Sequence, residues 1–260
     1  MSYPAIVYNV MLSSPSDAEE ERSLLRNCVN RWNDSNSAHN EMVLFPLDCA
    51  NNVPCVSAGI DDPRGQAVVN KYIVEPSDWL VVVFKNTFGS PTGKEDSGTI
   101  EEIKLFRDTK PQNPISVYFY ESTQDERVKQ YKSEFFGFWK EYKDESDLEK
   151  KFIIELSQVV FNDKYFQKKL AESRKRTEER AQILLMRAAS DTKNLVMVSR
   201  LTAQELRIET NGLECVGYEM AFELLCKRRH LEMADPKEGS FKLTELGKQE
   251  VEALKNFPTF

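Results

Sequence analysis

Over residues 1–160, short apolar runs alternate with segments whose apolar residues recur every three or four positions. Residues 5–12 (AIVYNVML), 42–47, 78–85 and 115–120 have the length and β-branched content of buried strands. Between the first two, Leu24, Leu25, Cys28, Val29 and Trp32 form one helical face. Ser14 reads as the N-cap of that helix and Pro15 as its first residue; acids at 17 and 19–21 follow, and its end is predicted near Trp32. Residues 48–62 are a long polar loop. Residues 63–74 form a helix with Val68, Val69, Tyr72 and Ile73 inward. Further helices are predicted at 99–108, at 124–138 and after the capping pattern Ser146-x-x-Glu149, with a weak edge strand near 141–143. This β-α alternation predicts a parallel sheet between helical layers, of the flavodoxin-like, doubly wound kind.

The pattern then changes. Residues 161–180 are polar and charged and read as a linking helix. Residues 195–198 and 205–209 could pair as a hairpin, followed by a turn at Asn211-Gly212. An amphipathic helix is predicted at 218–230, a turn at 235–239, a short strand at 240–243 and a last helix to Leu254. Residues 181–260 are thus expected to be a small α+β, winged-helix-like domain.

Composition narrows the class. The 260 residues can bury a substantial core, and a net charge of -7 argues against a general nucleic-acid coat. Five scattered cysteines, with no CxxC pair, fit reduced thiols of a cytoplasmic protein. Two distant histidines, His39 and His230, make a metal site or a histidine-based triad unexpected. No basic leader and no apolar run near ~18 residues are present, so no membrane span is expected.

The richest stretch is Phe88 to Ile103, F-G-S-P-T-G-K-E-D-S-G-T-I-E-E-I. A polar, glycine-containing loop leaving the carboxyl end of a central strand is where open α/β sheets bind ligands. Asp96, Ser97 and Thr99 can cap the helix that follows. Thr99-x-x-Glu102 is also a capping-box pattern, in which Glu102 would only reach back to the Thr99 backbone N–H. On a helical projection, however, Glu102 falls inside the apolar arc of Ile100, Ile103, Leu105 and Phe106, and Glu101 falls outside. A carboxylate on a buried face needs partners or a task, which favours Glu102, with Glu101 its solvated neighbour.

Asp96-Ser97-Gly98-Thr99-Ile100-Glu101-Glu102 resembles the D-x-G-T-x-x-E signature of nucleoside 2-deoxyribosyltransferases. Ser13-Ser14-Pro15 with Glu21-Arg22, Gly65-Gln66 to Asp78, Phe88 to Gly93 and Ser97 to Glu102 resemble a family of bacterial TIR-like domains. The resemblance covers about residues 5–160. It implies a nucleotide-binding fold in which Glu102 attacks or stabilises an anomeric carbon, with NAD as substrate rather than cofactor, in a bacterial defence or stress role. Ser13, Ser14, Arg64, Phe88, Gly89, Asp96, Ser97 and Thr99 would line the ligand, Arg64 meeting a phosphate and Phe88 stacking on a base. Homo-oligomeric assembly is expected with it.

A non-catalytic nucleotide-sensing module is the second reading, and a DNA-binding regulator the third. For the third, Lys227-Arg228-Arg229-His230 with Lys237 and Lys242 could face DNA, but residues 176–260 hold 13 basic and 14 acidic side chains. A solvated helix end explains the run as well. Cys49 and Cys55 read as idle thiols, and residues 135–139 (FFGFW) as core or a domain interface.

Overall fold

The computed structural model describes residues 5–190, 195–197, 212–235 and 240–256. The chain divides into two compact units, Met1–Lys168 and Lys169–Phe260, and the boundary falls inside one long helix.

The first unit is an α/β layer structure. Strands β1 (Ile6–Ser13), β2 (Met42–Leu47), β3 (Trp79–Phe84), β4 (Ile115–Tyr120) and β5 (Lys140–Tyr142) form one sheet in the order β2-β1-β3-β4-β5. Every pairing is parallel. This matches the alternation expected from sequence, including the weak edge strand. The order is compatible with a flavodoxin-like sheet, whose connections change direction between β1 and β3.

Helices cover both faces. Strand β3 is buried along its length, and its side chains divide by the period of two. Leu80, Val82 and Phe84 join Ile73, Val74, Ile100, Ile103, Phe106 and Val128 in one core. The Trp79 ring, on the other face, meets Phe152 and Phe166 at 5.8 and 6.2 Å between centroids. Phe166 also stacks on Tyr8 at 4.4 Å, and the Tyr8 hydroxyl donates to its carbonyl. Phe166 opens α7 (Lys164–Ser190), so the start of a helix that reads as a polar linker is core material.

Several boundaries differ from the expected ones for local reasons. A 3-10 turn, Ser16–Ala18, precedes α1 (Glu19–Asn40), which runs eight residues beyond Trp32. Asn33 explains the extension: its side chain both donates to the Leu44 carbonyl and accepts from the Leu44 N–H, tying the polar end of α1 to β2. Glu41, in the left-handed region at φ 54°, ends the helix. Asp48 caps a single turn, α2 (Cys49–Asn52), within the expected loop. The helix predicted at 63–74 begins as α3 (Gly65–Val69) and continues as a π-helical turn, Asn70–Val74, closed by the Glu75 N–H on the Asn70 carbonyl. The wider turn rotates Tyr72 outward, to 40% exposure, while Ile73 and Val74 stay buried.

Helix α4 (Gly98–Thr109) follows β3, and α5 (Glu126–Glu134) follows β4, capped by Asp125. Helix α6 (Glu145–Asn162) is capped by Asp144 in place of the Ser146 pattern. Of the aromatic run after α5, Phe135 and Trp139 pack on Phe119, whereas Phe136 and Phe138 are exposed and belong to no core.

The second unit has strands β6 (Leu195–Met197), β7 (Leu231–Asp235) and β8 (Ser240–Leu243) in an antiparallel sheet of order β6-β8-β7. Helices α8 (Gly212–Lys227) and α9 (Glu245–Asn256) complete it. Ala181, Leu184, Leu185 and Ala188 of α7 pack with Tyr218, Leu225, Leu243 and Val251 in its core. The expected hairpin partner at 205–209 and the turn at Asn211 lie outside the described residues, as does Lys237.

Candidate functional site

The sheet order changes direction between β1 and β3, and the carboxyl ends of these two strands are where an open α/β sheet forms its ligand crevice. Asp17 bridges it, accepting from the Asn86 N–H at 2.7 Å and the Thr87 hydroxyl at 2.6 Å. Glu102, on the first turns of α4, is 8% exposed.

Glu102 accepts a hydrogen bond from the Ser13 hydroxyl, at the last position of β1, and another from Gln66 Nε2 at 2.9 Å. Ser97 is the N-cap of α4, and the Glu102 carboxylate reaches the end of β1 and α3 and not its own helix terminus, unlike the capping-box alternative. Burial pushes the Glu102 carboxyl above its ordinary value. Its two donors act in the opposite direction, the Glu101 charge pushes further up and the Arg22 charge lowers. Gly98 permits the Gln66 contact, because a Cβ there would stand 2.8 Å from Gln66 Oε1.

Glu101 is not the solvated neighbour that the helical projection indicated. It is 7% exposed, because residues far away in sequence cover that flank of α4. Arg64 grips it with Nη1 on Oε2 at 2.7 Å and Nη2 on Oε1 at 3.0 Å, Asn70 Nδ2 donates at 2.9 Å, and the Thr92 hydroxyl donates as well. Burial alone would raise its carboxyl, but Arg64, Thr92 and Asn70 together hold it below the ordinary value. The two glutamates are joined by amides: Gln66 Nε2 also donates to Asn70 Oδ1 at 3.2 Å.

The other expected ligand contacts divide. Ser13 and Ser14 stand at the crevice, and Gly89 follows at φ +96°, a backbone conformation suited to glycine. Arg64 is already committed: besides Glu101 it holds Asp62 through Nε and Nη2, at 2.8 and 2.7 Å. Its two carboxylate partners occupy the guanidinium expected to meet a phosphate. Phe88 is core, with Phe84 at 6.1 Å, Tyr131 at 5.7 Å and the Arg127 guanidinium over its ring, so base stacking is not its role. Ser97 and Thr99 are buried, and Ser97 Oγ has no partner. Asp96 is exposed.

Sequence reading missed Gln66, Asn70, Thr92 and Arg22 as site residues. Arg22 is 9% exposed, and Nη1 donates to Ser14 Oγ at 2.8 Å. One turn later, Arg26 is neutralised by Asp48 and also donates to Asn52 at 3.0 Å. Arg22 has no carboxylate within ion-pair distance among the described residues, although its charge acts on Glu102. The signal was present: Arg22 lies on the stripe of Leu25 and Val29, the same misplacement of a charge on an apolar face that singled out Glu102.

The free cysteines Cys49 and Cys55 are exposed. Among the described residues no group of three or more His, Cys, Asp and Glu could hold a metal ion, and no helix is long and apolar enough to cross a membrane. In the second unit, Arg228 of the basic run is paired to Glu178, and Lys242 to Glu232 at 3.1 Å. The crevice therefore offers one buried carboxylate of raised proton affinity, a hydroxyl donor and an uncompensated guanidinium. No model of a known protein family matches this chain, and no curated protein sequence matches it.

Proposed function

We propose that the first unit is a TIR-like, flavodoxin-like domain that cleaves the N-glycosidic bond of a nucleotide, with NAD the substrate and Glu102 the reacting carboxylate. The observation that carries this reading is the buried Glu102 carboxylate at the crevice between β1 and β3, held by Ser13 at the end of β1 and by Gln66 of α3. In NAD the leaving nicotinamide is already cationic, so its departure needs no general acid. The C1′–N bond breaks and its electron pair neutralises the pyridinium nitrogen. A Glu102 oxygen stabilises or bonds the resulting oxocarbenium carbon, as in retaining glycosidases. Water then adds to C1′, breaking the Glu102–C1′ bond where one has formed, and releases a proton, giving ADP-ribose and the free carboxylate.

Ser13 orients the carboxylate and Ser14 borders the ribose side. The second unit, read as winged-helix-like, would regulate or assemble the protein, as a cytoplasmic homo-oligomer in a bacterial defence response. The test is incubation with NAD while following nicotinamide release, beside Glu102→Gln and Glu101→Gln. Release that Glu102→Gln abolishes supports the reading; no release in any assembled state sinks it. One feature favours a non-catalytic nucleotide-sensing module instead: both Glu102 oxygens already accept hydrogen bonds within the protein. Binding of NAD without turnover would establish that second reading.

A further inference from the structure

Arg22 as a residue is nine-tenths buried, and Ser14 Oγ is the acceptor facing its guanidinium. A buried cation is costly unless an anion or several acceptors replace its lost water. The same helix shows the satisfied case at Arg26, where Asp48 and Asn52 supply them. The difference lies in position. Arg26 faces the end of β2, whereas Arg22 faces Ser14, in the connection leaving β1 and next to the residue that holds Glu102. Arg64, the arginine with a sequence signal for phosphate binding, is occupied by Asp62 and Glu101.

We infer that Arg22 is the anion-recognition residue of the crevice and takes a phosphate group of the nucleotide, with Ser14 beside it. A guanidinium presents paired N–H groups that match two phosphate oxygens. One Nη1 hydrogen bond to Ser14 fixes its orientation and leaves further donors for the ligand. Binding the anion would also complete a charge pattern: Arg22 would pass from uncompensated to paired, and its lowering influence on the Glu102 carboxyl would weaken. The ligand's phosphate thus sets selectivity for nucleotides over nucleosides. The inference rests on the reading of this crevice as a nucleotide site, but not on turnover.

The experiment measures binding calorimetrically in the full chain carrying Glu102→Gln, so that no probe is consumed. The probes are NAD, nicotinamide riboside, which lacks phosphate, and inorganic phosphate. Adding Arg22→Gln should weaken NAD binding about tenfold or more and leave nicotinamide riboside unchanged. Arg22→Lys should restore part of the loss, with thermal melts confirming that both variants fold. Inorganic phosphate should compete with NAD only when Arg22 is present. Equal weakening of NAD and nicotinamide riboside would mark Arg22 as merely structural and overturn the inference. So would unchanged NAD affinity, or failure of every phosphorylated probe to bind. In the chain retaining Glu102, nicotinamide release with an unaltered KM in Arg22→Gln refutes the anion site and leaves the hydrolase reading standing. Arg22-dependent NAD binding without release does the reverse.

Discussion

Glu101 and Glu102 are adjacent on α4, both buried, and their proton affinities are driven in opposite directions. Glu101 is neutralised by Arg64 and held low, and Glu102 lacks a bound cation and is pushed high. Two like groups separated in this way by their surroundings are how proteins divide structural from chemical duties between carboxylates.

The stability of isosteric variants follows from that division. Glu102→Gln removes a poorly compensated buried charge while keeping a partner for Ser13 and Gln66, so thermal unfolding at pH 7 should show an unchanged or raised Tm. Glu101→Gln leaves Arg64 with Asp62 as its remaining carboxylate partner and a neutral amide in place of the other, and Tm should fall by about 5 °C. The reverse order would show that the assignment of roles is inverted.

The pH dependence of stability has two opposed components. The folded-state affinity of Glu102 is raised above its ordinary 4.5, so its cost to stability appears as pH climbs from there through the folded value. Glu101 is lowered, so the stability it contributes is present above 4.5 and lost as pH falls through its folded value. Denaturant unfolding of native protein against Glu102→Gln, across pH 4 to 8, should show a difference that widens toward high pH. Nicotinamide release should likewise rise with pH, with a midpoint above the ordinary carboxylate value, because the ionised form reacts.

Gly89, in the loop after β3, and Gly98, which opens α4, should respond differently to alanine. At Gly98 the added Cβ would clash with the far end of the Gln66 side chain, which can swing away, and would touch Thr92 at an ordinary 3.7 Å. Gly98→Ala should therefore melt close to the native protein but lose much of its activity, with the pH midpoint displaced upward. Gly89 has φ +96° and stands where a Cβ would lie 2.6 Å from Ser97 Oγ, so Gly89→Ala should cost about 1–2 kcal/mol of folding stability. Melting curves and nicotinamide assays on both variants check the contrast.

Phe166→Ala should destabilise the first unit by about 3–5 kcal/mol, since its ring fills the space between Tyr8 and Trp79. Urea unfolding measures it. A cost below about 1 kcal/mol would mean that the start of α7 contributes little to that core.

How much the sequence revealed depended on how local each cause was. Strand β3 was legible because a strand buried on both faces needs an unbroken apolar run. Glu102 was legible because a charge in an apolar arc is visible on one helix. The burial of Glu101 was not, since its cover comes from Arg64, 37 positions away, and from Thr92 in a loop. Tyr72 was assigned inward on a 3.6-residue period, and the π-helical turn at Asn70 breaks that period. The end of α1 was missed because Asn33, a poor helix former, is fixed by β2.

The amide chain from Glu102 through Gln66 and Asn70 to Glu101 has one more implication. Carboxamides donate and accept, but they do not hand a proton along as hydroxyls do. On the helix side, Glu102 is therefore insulated against proton exchange with its neighbour. Ser13 is the hydrogen-bonded group beside it that can both give and take a proton. Any proton gained or lost by Glu102 must travel by way of the crevice itself, so a ligand filling that crevice would also fix the carboxylate's charge for as long as it stays bound.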